Sequence, residues 1–155
     1  MKKLIQYLFT PDYEKFHGIS RFKIYLLRIV CALTFLFVGY DSWLYILTHE
    51  GVWMPMESVA FSVWATYSVL SVLGIIHTVK MLPLMLFQVM YKLVWLIVVA
   101  LPLAVQGTLT GSPVEELTYV FLTVLLPMVG IPWKYLYRNY IISGFRSVGP
   151  DSQPN

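Results

Sequence analysis

Long uncharged apolar stretches alternate along the chain with short segments that collect charge, proline and glycine. Four stretches predict membrane-crossing helices, over residues 22–47, 57–79, 83–105 and 114–131. A hydrocarbon core about 30 Å thick takes roughly 20 residues at about 1.5 Å each. The first stretch, about 39 Å long as a helix, exceeds that span, so tilt or protruding ends must absorb the excess. The punctuation agrees with these bounds. Pro83 opens the third helix, where a missing N–H is harmless. Glu115 and Glu116 fall in the first turn of the fourth, where the helix dipole favours negative charge. Pro127, Gly130 and Pro132 should kink or end that helix. Loops at 48–56 and 106–113 and a tight turn at 77–83 connect the four.

The ends read differently. In residues 1–21, lysine and arginine are interspersed with leucine, isoleucine and aromatic residues, which predicts short interfacial helices, one opening at Thr10-Pro11. Residues 133–146 predict another. Lys134 and Arg138 share one face, Trp133, Tyr137 and Tyr140 suit the headgroup region, and Ile141 and Phe145 dip deeper. Residues 147–155, with Pro150 and Pro154, are expected to be disordered. The apolar run at 4–9 is too short for a secretory signal and lacks a small-residue cleavage site. The expected fold is therefore all-α: a polytopic four-transmembrane-helix bundle, one domain over 1–146, with interfacial helices at both ends.

Composition reinforces this reading. Of 155 residues, 58% are hydrophobic and 12% charged, against roughly 25% charged in soluble domains. The net charge of +3 matters less than its distribution. Lys2, Lys3, Lys15, Arg21 and Lys23 flank the first helix, Lys80 lies in the middle turn, and Lys134, Arg138 and Arg146 follow the fourth helix. The other two connections hold or adjoin Glu50, Glu57, Glu115 and Glu116. By the positive-inside rule both termini face the cytoplasm, with a bacterial inner (cell) membrane as the expected location. The bilayer is the expected partner, together with a second copy or other membrane proteins, and nucleic acid is not.

Candidate chemistry is sparse. The lone Cys31 reads as a packing residue, and His17, His49 and His77 are scattered, so no catalytic set, metal or cofactor is expected. Tyr67, Ser71, Gly74 and Thr78 follow one face of the second helix, which suits close helix packing. Charged groups inside a bilayer cost roughly 2.5–3.5 kcal/mol each, so Arg28, Asp41 and Lys92 need reasons. Arg28 lies about 6 Å deep and can snorkel. Asp41 lies about 9 Å before the outer end of its helix, where water, or serine and tyrosine on the second helix, could satisfy it. Lys92 lies about 13–14 Å into the third helix, near mid-membrane, on a stripe with Gln88, Trp95, Val99 and Gln106. Its expected partners are Tyr67, Thr66, Ser71 and Asp41.

Within the first helix, Arg28, Ala32, Phe35, Gly39 and Asp41 resemble the first-helix pattern of DoxX-type membrane proteins. Ala32 stands for that family's usual glycine and Ser42 for its usual lysine. The resemblance covers residues 28–44 and implies a four-helix fold, with links in some members to quinone-dependent redox systems. Together these features predict a small non-enzymatic subunit or accessory factor of a membrane complex. The alternatives are ion or small-solute transport through Lys92 and Asp41, and a quinone-linked redox subunit.

Overall fold

A computed structural model describes residues 11–12 and 16–142. Expectations for residues 1–10, 13–15 and 143–155, including the threonine cap at Thr10, Phe145 and the tail, lie outside the described residues.

Helix α1 (Arg21–Thr48), α2 (Pro55–Ile76) and α3 (Leu82–Val105) are each long and apolar enough to cross a membrane. A fourth span exists if α4 (Glu115–Gly130) and α5 (Trp133–Tyr140), which meet at a 71° bend, count as one. Observed bounds of α1 and α3 match the apolar stretches to within a residue. Pro55 starts α2 and Pro83 falls in the first turn of α3, positions where proline gives up no intrahelical bond. Helix α2 stops at Ile76, earlier than its apolar run predicts, because the chain tightens at His77 into the turn that leads to α3.

Two proline effects fall upstream of the prolines themselves. A proline ring clashes with the carbonyl four residues earlier. For Pro127 that residue is Thr123, and α4 breaks there: the N–H groups of Thr123 and Val124 reach back three residues, to Val120 and Phe121 at 3.3 and 2.9 Å. For Pro102 it is Val98, inside a widened, π-type turn at Leu96–Ala100. A second such turn interrupts α1 at Thr34–Val38; no proline explains it.

The helices close a ring, α1 against α2, α2 against α3, α3 against α4, and α4 back against α1. Inside lie Leu27, Cys31, Met85, Val89, Val124 and Ile131. The outward faces stay apolar: Leu47, Ile97 and Val98 are 78%, 60% and 65% exposed. Only 28–33% of the most apolar window of each long helix is buried within the chain. Such surface in water would cost about 25 cal/mol per Å², which suits helices apolar enough to cross a membrane.

One expectation is corrected at the N-terminal flank. Pro11 does not open a helix. Pro11–Asp12 (β1) pairs antiparallel with Ile19–Ser20 (β2), Pro11 opposite Ser20 and Asp12 opposite Ile19. His17 and Gly18 take φ of 53° and 82°, the left-handed conformation that glycine adopts freely, and turn the chain back. The reversal buries Phe16 and Ile19 against Ile24, Val79 and Tyr135, an apolar gain that a helix running out along the surface would forgo. These contacts gather Lys23, the turn holding Lys80, and Lys134 and Arg138 of α5 at one end of the ring. Glu50, Glu57, Glu115 and Glu116 lie at the other, while Asp12, opposite Ile19, stands at the basic end.

Candidate functional site

The polar centre of the ring is built from α1, α2 and α3. Gln88 and Lys92, four residues apart on α3, share the inward face and are 4% and 5% exposed. The Tyr67 hydroxyl, from α2, donates to Gln88 Oε1 at 2.7 Å. Gln88 Nε2 donates to the Thr34 hydroxyl, from α1, at 3.4 Å. One amide thus ties three helices together. Thr34 sits at the start of the widened turn of α1. Buried polar groups cost free energy unless they are paired, and this relay pairs both ends of the Gln88 side chain.

Lys92 departs from its expected partners. Its ammonium turns to α4, where it donates to the Thr123 hydroxyl at 3.3 Å and sits 5.5 Å from the centre of the Phe121 ring. Thr123 is the residue at which Pro127 breaks α4. Its own hydroxyl donates to the Val120 carbonyl at 2.6 Å, leaving a lone pair for Lys92. Each expected partner on α2 is engaged or directed elsewhere. Tyr67 serves Gln88; Ser71 donates to the Ser68 carbonyl at 2.6 Å; Thr66 is exposed. Trp95 and Tyr91 meet Phe121 edge-on, with centroids 4.8 and 5.7 Å away, so the ring beside the ammonium is itself held by two aromatic neighbours. Gln106, the last member of the expected stripe, is exposed.

Asp41 and Lys92 are not brought together. Asp41 is exposed on α1 among the exposed Phe37, Tyr40 and Leu44 and makes no bond to α2; among the described residues it has no hydrogen-bond or ion-pair partner. The neighbouring Ser42 takes the inward position and is buried. Arg28 is half-buried, and its Nε donates to the Thr78 hydroxyl at 3.2 Å in the turn after α2. It therefore leans toward the basic end of the ring.

Aromatic residues at the acidic end form a cluster that residue spacing alone did not reveal. Tyr45 stacks on Phe61 at 3.9 Å and His49 on Trp53 at 3.8 Å, while the Tyr45 hydroxyl donates to the Glu57 carboxylate. The signal was present in Tyr45 and His49, four apart and facing a loop with Trp53, but it needs the α1–α2 fold-back to become a contact. Among the described residues, no group of three or more histidine, cysteine, aspartate or glutamate side chains could hold a metal ion.

No family model, no curated protein and no solved structure matches this chain. None of these comparisons supports the resemblance of α1 to DoxX-type proteins that the sequence suggested from Arg28, Ala32, Phe35, Gly39 and Asp41. Of these, Gly39 has a packing role: a Cβ there would lie 3.2 Å from Ser68 Oγ.

Proposed function

We propose that the chain is a small non-enzymatic membrane protein, spanning the bilayer four times with both termini in the cytoplasm, and that it works as a subunit of a larger assembly. The observation that carries this is Asp41. Its carboxylate lies on an outward, apolar face of α1 without a partner among the described residues. A carboxylate facing lipid is costly, and aspartate is too short to reach far toward water. A neighbouring protein helix presenting a hydroxyl, amide or basic side chain would remove that cost, and Tyr40 beside it offers a further polar tip. The buried relay through Gln88, by contrast, satisfies itself and reads as structural.

Size-exclusion mass measurement in mild detergent tests the reading. The wild-type chain should elute in an assembly larger than one copy, and Asp41→Leu should release it as a folded monomer. A wild-type chain that is monomeric in native membranes and in detergent would sink the proposal. Membrane placement is tested separately with single cysteines introduced into Cys31→Ala. Cysteines at Gly51 and Gly111 should label only from the periplasmic side and one at Lys80 only from the cytosol. Labelling from the reverse sides would overturn the orientation.

A further inference from the structure

The basic end of the ring holds a cleft of about 1100 Å³ between the β1–β2 turn, the start of α1 and α5. It exists because α4 ends at Gly130 and the chain turns through 71° into α5, laying that helix beside the N-terminal reversal. Tyr135 packs under the reversal with Phe16, Ile19 and Ile24, and its ring lies 6.1 Å from that of His17. Trp133 is pinned at the bend, its indole N–H donating to the Met128 carbonyl at 2.9 Å. Lys23 lines one wall of the cleft, and Lys134 and Arg138, one turn apart on α5, line the other. None of the described lining residues is acidic.

We propose that this cleft binds the phosphate of an anionic phospholipid headgroup. Three cations line one cleft where the helices end, which is the depth of the headgroups if the chain spans the bilayer as proposed. Trp133 and Tyr137, exposed at the rim, are the side chains that favour that layer. Arginine offers a planar fork that matches phosphate oxygens, and lysine adds point charge. An acidic peptide would also be attracted, but a peptide does not require a cleft at headgroup depth with an aromatic rim.

Native mass spectrometry of the full chain in detergent, titrated with phosphatidylglycerol, phosphatidylcholine or inorganic phosphate, tests this. Near the surface each basic residue favours anionic over zwitterionic lipid. Phosphatidylglycerol should therefore be retained at concentrations at least about tenfold lower than phosphatidylcholine. The double variant Lys134→Gln/Arg138→Gln should erase the preference, Arg138→Lys should keep most of it, and Lys80→Gln, at the same end but outside the cleft, should leave it intact. Inorganic phosphate should neither be retained nor displace the lipid. Equal retention of the two lipids, an equal loss with Lys80→Gln, or capture of inorganic phosphate in place of lipid would each overturn the proposal. The idea rests on membrane placement, which the cysteine labelling tests independently. A correctly inserted chain without lipid preference refutes the cleft alone.

Discussion

Gly74→Ala should destabilise the folded chain, and Cys31→Ala should reverse the sign of that effect. Gly74 is buried on α2 where it crosses α1, and a Cβ built there lies 2.6 Å from Cys31 Sγ, well inside contact distance, but 3.6 Å from Cys31 Cβ, an ordinary contact. The sulfur has little room to withdraw. Cys31 is fully buried, and its Sγ already lies 3.8 Å from Met85 Sδ on α3. Overpacking of this kind costs about 1–3 kcal/mol. Alanine in place of glycine within a helix gains about 0.5–1 kcal/mol, because less backbone freedom is lost on folding. With the cysteine present the clash wins; in the Cys31→Ala background the sulfur is gone and only the helix gain remains. Reversible unfolding in mixed detergent should therefore show Gly74→Ala less stable than wild type, and Cys31→Ala/Gly74→Ala at least as stable as Cys31→Ala. Additive single effects would show that α1 and α2 do not cross at this point.

That crossing shows how far the sequence reaches. Gly74 belongs to the face that also carries Tyr67, Ser71 and Thr78, and spacing alone marks it as a packing face. Spacing does not give the rotation of α1 about its own axis, which decides that Cys31, not the neighbouring Ala32, is the residue it meets. Helix extents were legible because apolar length and proline position set them locally. The break at Thr123 was legible once Pro127 was read four residues upstream. The β1–β2 reversal was not, since its driving force is burial of Phe16 and Ile19 against Val79 and Tyr135, residues more than fifty positions away.

The candidate site divides in the same way. Burial of Gln88 and Lys92 followed from one helix's periodicity, because both lie on a single stripe of α3. Their partners did not. Hydroxyl groups are abundant on α2, so residue type favoured Tyr67, Thr66 and Ser71 for Lys92. The Gln88 amide takes Tyr67, local carbonyls occupy the serines, and the ammonium turns to α4, where the kink exposes Thr123. A pairing of Asp41 with Lys92 would need Asp41 to face inward. Ser42 holds that position instead, and the carboxylate points out.

Lys92→Met should leave the bundle as stable as the wild type or more so, whereas Thr123→Val should weaken it. The lysine is 5% exposed and, among the described residues, makes one hydrogen bond, at 3.3 Å, and one ring contact, at 5.5 Å. An interhelical hydrogen bond of this kind contributes about 0.6 kcal/mol and at most about 1.7, and the ring roughly 0.5–2 kcal/mol. If the chain spans the bilayer as proposed, the charge lies near mid-depth and costs roughly 2.5–3.5 kcal/mol there. At typical values the gains fall short of the cost, reaching it only near the top of both ranges, and methionine fills similar space with no charge to satisfy. Removing the threonine hydroxyl alone leaves the ammonium buried with only the ring, a loss of about 1–3 kcal/mol. Opposite signs for the two variants would mark Lys92 as a group retained for something other than stability, an anionic or hydrogen-bonding group brought by a partner or ligand at the α3–α4 seam. If Lys92→Met unfolds the chain as severely as Thr123→Val, the lysine is a structural tie between those helices.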